Sequence, residues 1–540
     1  MRKVKQLISF FMIVVVMFSS QLMYSQTTTS SINGTVVDQI GNALPSATII
    51  AIHQPTGTQF GTTARIDGRY NLVNLRVGGP YKVTVSFIGY ASQVEEGFDL
   101  ALSQDLKINF KLVEQAVQLT GVTVTAEKGA VLSQGRTGAA QNVSIKQIEA
   151  LPTVSRSFQS FAKLSPLFSG ENSQAAGRSN RYNNVQIDGT QYNDLFGLGA
   201  SGTPGGQTGT NPISLDAIRE FQVVIAPYDV RQSGFTGGGI NAITRSGTNK
   251  YSGSIYGFGR NEKLVGKLTD RPDIAKFSDY QYGFRNGGPI MQDKLFFFVN
   301  GEMTINNRPV SNISLTDGFG GKTGTQLINE KVLPYSAALK ARGMDAGSYE
   351  EFTREQPSTK LFLRFDYNLS QDHQLTLRHN FVDSYQDNLS ARGGANTMSF
   401  DTYNYRIKNQ TNSTVLQLNS RLGNNMSNEL ILGFTSIRDR RAGTAAPTPE
   451  VEVRDGGYNM FAGPDRFSSA NELDQDVLEF TNNFSYYAGD HTFTIGTHNE
   501  FFSFRNMFVR SFFGYYQYNS IAEFNADKVA FYQRVYGRKD

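Results

Sequence analysis

The sequence predicts a mainly β protein. We expect an N-terminal β-sandwich, a glycine-rich α+β domain, and then part of a transmembrane antiparallel β-barrel. Of the 540 residues, 39 are Phe, 25 are Tyr and 53 are Gly, a composition that favours sheets with many turns. Apolar and polar residues alternate along the second half, which is typical of strands with one apolar face. The connections between those strands are alternately short and long, as in up-and-down membrane barrels.

Residues 1–25 are predicted to be a signal peptide. Arg2, Lys3 and Lys5 precede an apolar run from Leu7 to Phe18, and small polar residues follow. A membrane anchor is the less favoured alternative, because the run is shorter than the roughly 20 residues that span a bilayer as a helix. The absence of cysteine excludes disulfides and thiolate metal sites. The net charge of +4 is dispersed along the chain and does not indicate a nucleic-acid partner.

Residues 31–113 are predicted to form the sandwich. Short apolar runs such as INGTVVD and YKVTVSFIGY alternate there with Gly, Pro, Asn and Asp turns. Residues 114–130 are predicted to be a linker with one free extended strand. In that strand Val122, Val124 and Ala126 alternate with polar residues, and a small polar segment follows.

Residues 131–248 are predicted to form the compact α+β domain. Ser214 can cap a helix over LDAIREF, with Asp216 in its first turn, and FQVVIAP then reads as a strand. The preceding GLGASGTPGGQTGTNP is predicted to be a loop. Its G-x-G-x-x-G spacing lacks the preceding strand and following helix of a dinucleotide site, so nucleotide binding is disfavoured.

Residues 249–540 are predicted to form part of a barrel. In KLFFFVNGEMTI the odd positions from Leu295 to Ile305 are apolar or Gly, and the even positions are polar except Phe296 and Phe298. KLFLRFDYNLS has the same alternation, with Phe362 as its exception. Tight connections (SQD, GNNMS and AGD) alternate with long ones at about residues 306–358, 384–409 and 439–474. A soluble sandwich or β-helix also alternates and is the alternative on this pattern alone.

The alternation also predicts which side chains meet lipid. Phe297 and Leu363 are expected to face the membrane, and Asn300 and Asn368 are expected to face the lumen. Arginine should therefore impair assembly at the first two positions and be tolerated at the other two.

Catalytic and metal-binding patterns are not visible in the sequence. None of the five histidines has a metal-ligand spacing, and there is no G-x-S-x-G elbow. We therefore expect no enzyme activity, no cofactor and no metal. An exported chain with this architecture indicates a transport or binding function.

Several stretches resemble TonB-dependent outer-membrane receptors. DAIREFQVVIAPYDVRQSGFTGGGINAITRSGT resembles the end of the family's plug domain, where a helix, an E-V-x-x-G-P strand and a G-G-x-I-N-x-x-T-[KR] strand pair lead into the barrel. Ala226 stands where that pattern has a glycine. NNVQIDGTQYND, with its Asp188-Gly189 turn, looks like an earlier plug strand. GTVVDQIGNALPSATI resembles the carboxypeptidase regulatory-like domain of one branch of the family, and the whole chain is most similar to Oar-like receptors.

The resemblance implies a site with three parts. The junction between plug and barrel would include Gly238, Gly239, Asn241, Thr244 and Arg245. The plug would present residues to an unidentified extracellular ligand: Asn180, Arg181, Tyr182 and Gln191. The TonB box, which pairs with TonB of the inner-membrane energising complex, would be Leu119, Thr120, Gly121, Val122, Thr123, Val124, Thr125 and Ala126. An ordinary linker strand is the alternative for that segment.

The resemblance also implies a location and an activity. We expect a protein of the outer membrane of a Gram-negative bacterium, in contact with its lipid, that takes up an unidentified ligand by energised transport. A surface binding or adhesion protein anchored by its barrel is the alternative. Plugged receptors close with about 22 strands, whereas only about ten fit between Tyr251 and Asp540. We therefore expect the sequence to be truncated within the barrel.

Overall fold

The computed structural model describes residues 28–114, 122–125, 139–150, 153, 156–169, 174–199, 201–225, 231–232, 234–266, 276–310, 319–388 and 396–536. The predicted signal peptide lies outside these ranges. The fold is mainly β, as predicted, and has four parts: a sandwich, a plug, a barrel sheet and an outer module. Every helix within the described ranges is too short or too polar to cross a bilayer.

The sandwich occupies the N-terminal part of the described chain. Its strands are β1 (Ser30–Val37), β2 (Thr48–His53), β3 (Thr58–Thr63), β4 (Arg69–Leu75), β5 (Gly78–Ser86), β6 (Gln93–Leu100), β7 (Asp105–Lys107) and β8 (Phe110–Lys111). One sheet has the order β4-β1-β7, with β8 also paired to β1, and the other has the order β3-β2-β5-β6. Alternate side chains of both sheets, including Ile32, Ile49 and Val83, fill one buried core.

Strand β9 (Val122–Thr125) corrects the prediction of a free strand in the linker. It adds to the edge of the second sandwich sheet by pairing in parallel with β6, with Gln93 opposite Val122 and Glu96 opposite Thr125. The main chain of an edge strand offers unpaired N–H and C=O groups, and an extended segment nearby can satisfy them.

The plug is built on a mixed five-stranded sheet. The elements are β10 (Ala139–Ser144), α1 (Ile145–Ala150), α2 (Phe158–Ala162), β11 (Phe168–Ser169), β12 (Gln174–Ala175), β13 (Asn184–Ile187), β14 (Thr190–Gln191), β15 (Ile218–Ile225) and β16 (Gly239–Thr244), with 3-10 turns at Asn180–Tyr182, Gly206–Thr208 and Leu215–Ala217. The sheet order is β10-β15-β16-β13-β14. Its core contains Phe161, Phe221 and Ile240.

The helix predicted over LDAIREF is wrong beyond its first turn. Ser214 caps as expected, since its side chain accepts a hydrogen bond from the N–H of Asp216, but the 3-10 turn ends at Ala217. Ile218 already belongs to strand β15, which is paired on both sides by β10 and β16. Ile218 and Phe221 are buried in the plug core. Pairing on two edges and burial on the sheet outweigh the helical capping signal.

The rest of the chain contains the barrel sheet and the outer module. In chain order the elements are β17 (Ser252–Asn261), β18 (Ser278–Met291), β19 (Leu295–Val310), α3 (Gly324–Leu327), a π-helical turn (Ile328–Val332), α4 (Leu333–Ala341), β20 (Phe352–Glu355), β21 (Ser358–Asn368), β22 (His373–Asn388), β23 (Thr397–Ser399), a 3-10 turn (Asp401–Tyr403), β24 (Tyr405–Arg421), β25 (Met426–Gly443), β26 (Glu450–Asp455), β27 (Tyr458–Ala462), β28 (Asn471–Ala488), β29 (His491–Phe508), β30 (Tyr515–Tyr518), α5 (Ile521–Asn525) and β31 (Phe531–Gln533). The barrel sheet is the antiparallel meander β17-β18-β19-β21-β22-β24-β25-β28-β29, and β20 also pairs with β19.

The two ends of the barrel sheet differ as the loop lengths predicted. Short turns, at 292–294, 369–372, 422–425 and 489–490, lie at one end. That end meets the sandwich: Asn424 donates to the Thr63 hydroxyl at 2.6 Å, and Arg69 forms an ion pair with Asp490. The long connections at the other end carry the outer module, so the sandwich and the module lie at opposite ends of the barrel sheet.

The outer module was not predicted. Strands from two long connections, and from the segment that follows β29, form one sheet in the order β23-β27-β26-β30-β31. Helices α3, α4 and α5 pack on this sheet around a separate core that includes Tyr335, Leu339, Val453 and Met460. The long connections are therefore folded together as one unit.

The inner face of the barrel sheet explains the apolar exceptions in the alternation. Phe296 and Phe298 are 0% and 5% exposed, whereas Met303 on the other face is 49% exposed. Phe298 and Phe362 belong to the core cluster of the plug, and their ring centroids are 6.2 Å apart. These rings are apolar because this part of the inner wall packs against the plug and not against water.

The expected tolerance of arginine at Asn300 and Asn368 is wrong on this structure. Asn300 is fully buried, and its Nδ2 donates to the carbonyl oxygen of Phe284 at 2.9 Å. Asn368 donates to the Thr58 hydroxyl at 2.9 Å. Both positions face inward as predicted, but the inner wall is occupied by packed protein, so a longer charged side chain would have to displace it.

Candidate functional site

The junction between plug and barrel centres on Asp188. This residue begins the turn between β13 and β14 with a positive φ of 46°. Its carboxylate accepts hydrogen bonds from the N–H of Thr244 at 2.8 Å and from the Thr244 hydroxyl at 2.6 Å. The turn of one plug strand is thereby fastened to the end of β16, where the chain leaves for the barrel.

Two arginines of the barrel wall converge on the same carboxylate. Arg378 of β22 lies 3.2 Å from Asp188, and Arg364 of β21 lies 3.7 Å away. Arg364 also forms a two-point contact with Asp366, at 2.8 and 2.9 Å, and donates to the Thr244 hydroxyl at 2.8 Å. Asp188, Arg378 and Asp366 are all buried. Buried charges persist only when they are paired and hydrogen-bonded, so this network holds the plug in one position against the wall.

A second polar contact joins the plug to the first strands of the barrel sheet. Glu302 of β19 binds Lys360 at 2.8 Å and accepts from the Ser214 hydroxyl at 2.7 Å. The Tyr256 hydroxyl of β17 donates to the same carboxylate at 3.1 Å. Ser214, the cap of the 3-10 turn before β15, therefore also links the plug to three barrel strands.

Of the predicted junction residues, Thr244 alone takes part in the hydrogen bonds just described. Gly238 packs inside the plug, where an added Cβ would lie 2.4 Å from the Phe168 ring. Gly239 and Asn241 lie within strand β16, whose partners are β13 and β15. Arg245 donates to the carbonyl oxygen of Ile218 at 3.2 Å and to Glu149 at 3.0 Å, so it braces the plug.

The predicted ligand-facing residues separate into two places. Asn180, Arg181 and Tyr182 form one 3-10 turn, and Tyr182 is 56% exposed. Gln191 lies elsewhere, because its N–H donates to the Glu479 carboxylate of β28 at 3.2 Å. The structure therefore keeps three of these residues together on the plug surface and places the fourth against the barrel wall.

A glycine-rich loop beside that turn was not predicted to be part of the site. Asp194 starts this loop, which runs from 194 to 210, and its carboxylate accepts the N–H groups of Phe196 at 3.2 Å and Gly197 at 3.1 Å. Gly197 lies next to Arg181, since an added Cβ at this glycine would be 3.2 Å from the Arg181 Cδ. Farther along, Thr208 reaches the wall, where its hydroxyl lies 2.7 Å from that of Ser384. The sequence signal was Asp194 followed by closely spaced glycines.

The segment predicted to be the TonB box is described in part. Val122 to Thr125 form strand β9, paired with β6 of the sandwich. Leu119, Thr120, Gly121 and Ala126 lie outside the described residues. Strand β9 is linked by its main chain to the sandwich on one edge, which is the geometry that strand addition uses.

Comparisons with known proteins identify two domains in this chain. Residues 31–113 match the carboxypeptidase regulatory-like domain, and residues 243–317 match an outer membrane beta barrel domain. A relative, the TonB-dependent transporter Oar of Myxococcus xanthus, is 26% identical over an alignment of 297 residues, and the match covers 50% of this chain and 26% of that protein. The match thus spans about a quarter of the length of that relative.

Solved structures with a similar fold include the outer membrane transporter YddB of Escherichia coli, with a TM-score of 0.47, 11% identity, and coverage of 70% of this chain and 50% of that one. The ferric enterobactin receptor PfeA of Pseudomonas aeruginosa, in a mutant form, has a TM-score of 0.43, 13% identity, and coverage of 67% and 48%.

Proposed function

We propose that this protein is a receptor that takes up a ligand by energised transport. The chain carries a carboxypeptidase regulatory-like domain and an outer membrane β-barrel domain, and it is related to a TonB-dependent transporter. It would lie in the outer membrane of a Gram-negative bacterium after export by its signal peptide. Its partners would be the membrane lipid, TonB of the inner-membrane complex and an extracellular ligand.

The observation that carries this proposal is the plug fastened inside the barrel wall. In the network of Asp188, Arg364 and Arg378, Asp188 and Arg378 are buried, and the Arg364 side chain is 13% exposed. Passive diffusion past such a plug would require breaking a buried charge network, which typically costs several kcal/mol. Moving the plug therefore requires an energy source. An extended strand that another protein can bind and pull provides the point where force is applied.

Strand β9 is the proposed point of attachment for TonB. Its pairing with β6 is parallel and covers four residue pairs. Main-chain pairing of this kind is independent of side-chain identity. An edge strand of another protein can therefore replace β6 as the partner of β9, or pair with the other edge of β9. The alternative, a binding or adhesion protein, would not need this segment.

The test replaces Val122 and Val124 by proline, which removes two main-chain donors and opposes strand pairing. The matched control replaces the same residues by threonine, which keeps both the N–H groups and the β-propensity. We expect the proline variant to reach the outer membrane in normal amounts, to keep its cell-surface binding, and to lose uptake. Pull-down with the C-terminal domain of TonB measures the contact directly. Uptake and TonB binding that equal those of the threonine control would contradict transport through this segment.

A further inference from the structure

A polar cavity lies where the sandwich, the plug and the barrel sheet meet. It has a volume of about 840 Å³, and its lining combines all three parts: Asn71 and Asn109 from the sandwich, Asn142 and Gln222 from the plug, and Ser485 and Thr494 from the barrel strands β28 and β29. Amide and hydroxyl groups dominate this lining. Such a surface suits a hydrophilic solute that forms many hydrogen bonds, and it offers little to an apolar one.

The sandwich forms a wall of this cavity through a clamp on Leu102. The N–H of Leu102 donates to Glu220 at 2.9 Å, and its carbonyl oxygen accepts from Gln222 at 3.2 Å and from Asn142 at 3.3 Å. Glu220 and Gln222 are alternate residues of β15, so both reach the sandwich from one face of the plug sheet. One sandwich residue is therefore held through both of its main-chain groups.

The centre of this contact is apolar and small. Val77 and Leu102 of the sandwich pack on Ile243 of the plug, and all three are 6% exposed or less. Around it, contacts between the sandwich and the short barrel turns are polar and partly open to solvent, as in the Arg69–Asp490 and Thr63–Asn424 pairs. Exposed pairs contribute about 0–1 kcal/mol each. Two further polar contacts lie away from solvent: Asn368 donates to the Thr58 hydroxyl, and Arg76 lies 3.3 Å from the buried Asp366. The sandwich is therefore released only when these contacts are broken.

We propose that this cavity is the exit vestibule of the transport path on the sandwich side, that it accepts a hydrophilic solute, and that the sandwich is its removable wall. The proposal rests on the transport function proposed above. The clamp joins the sandwich to the plug strand that neighbours β10, and β9 joins the same sandwich through β6. A pull on β9 therefore acts on the sandwich before it acts on the plug, and the vestibule opens first.

The experiment uses the absence of cysteine from this chain. In full-length receptor reconstituted in lipid vesicles, Ser485→Cys places a reporter thiol in the vestibule, where Ser485 is 8% exposed. Thr63→Cys with Asn424→Cys, oxidised and verified by gel shift, fixes the sandwich to the barrel turn. Labelling by a polyethylene glycol maleimide is then followed in urea below the unfolding midpoint of the sandwich, so the measurement does not involve TonB.

We expect the receptor that carries Ser485→Cys alone to be labelled at least tenfold faster than the receptor that also carries the oxidised disulfide between Thr63→Cys and Asn424→Cys, in which no thiol other than the reporter is free. The control disulfide joins Ile50→Cys to Thr84→Cys, a cross-strand pair within the sandwich, and should leave the labelling rate unchanged. Thr494→Cys serves as a second reporter if Ser485→Cys fails to fold. Equal labelling of the receptors with and without the disulfide between Thr63→Cys and Asn424→Cys, or no labelling of either, would overturn the proposal. Loss of the transport function itself is detected separately, by the uptake measurement on the β9 variants.

Discussion

At the scale of single residues, Asp188 links the two halves of the plug–wall junction. It binds Thr244 of its own domain and lies 3.2 Å from Arg378 of the barrel wall. Asp188→Asn keeps the size of the side chain and removes the charge, leaving a buried arginine without its counter-ion. We expect the plug to be destabilised by about 3–5 kcal/mol, measured as the urea concentration at which a protease cleaves the plug of the membrane-embedded receptor.

The matched control is Asp279→Asn. Asp279 pairs with Arg260 at 2.7 Å, but both side chains are partly exposed, at 23% and 37%. Loss of that pair should cost about 1 kcal/mol or less, because solvent screens it. If the two variants shift the cleavage midpoint equally, Asp188 does not hold the plug.

At the scale of elements, the outer module contains a carboxyl group that should make its stability depend on pH. Glu450 of β26 is fully buried. Desolvation raises its pKa to about 8, although the N–H of Arg466 and the Arg466 charge oppose the shift. The folded module therefore binds a proton between about pH 4.5 and pH 8 that the unfolded chain does not bind.

The sign follows from this proton. The contribution of Glu450 to the free energy of unfolding is largest below pH 4.5. It falls by up to about 1.4 kcal/mol per pH unit as the pH rises to 8. Hydrogen exchange of strands β26 and β27 should therefore be faster at pH 8 than at pH 5.5, after correction for intrinsic exchange. Glu450→Gln keeps a neutral side chain of equal size and should flatten this dependence. An unchanged pH dependence in Glu450→Gln would assign the effect to another group.

The sequence predicted long elements well and short ones poorly. Barrel strands were visible because each strand of the meander places ten or more residues in alternation between two environments, and the exceptions Phe298 and Phe362 marked contact with the plug. The outer module was missed because its strands have three to six residues and pair between different connections. Local patterns carry no information on such pairing.

The site was predicted in outline. Thr244 was named from its motif, but its partner Arg364 comes from a barrel strand more than a hundred residues away, as does Arg378, which pairs with Asp188. Nothing in their own strands distinguishes them from other arginines on the inner face. The helix expected after Ser214 failed for the opposite reason, because a clear local capping signal was outweighed by sheet pairing at Ile218.

At the scale of the whole molecule, the sandwich is the part that should fold alone. Its core cluster lies entirely between Ile32 and Leu112, and both of its sheets close on that core. We expect residues 28–114 to unfold in one cooperative thermal transition, followed by circular dichroism. Ile49→Ala should lower the stability by about 2–5 kcal/mol, since the side chain is fully buried. A gradual, non-cooperative loss of signal would show that the sandwich depends on its contacts with the plug and barrel.

The shared sheet of the outer module limits how this surface can diversify. Strands β23 and β26 come from two separate connections and β30 from the segment after β29, yet all three contribute to the same sheet and β26 lies at its centre. Exchanging one connection for that of a relative would remove the pairing partners of the others. The module's surface should therefore diversify by substitutions on its exterior or by recombination of the segment from 319 to 536 as a block. A graft made for display or vaccine purposes would need to carry the whole segment from 319 to 536, so that the outer module keeps its native shape.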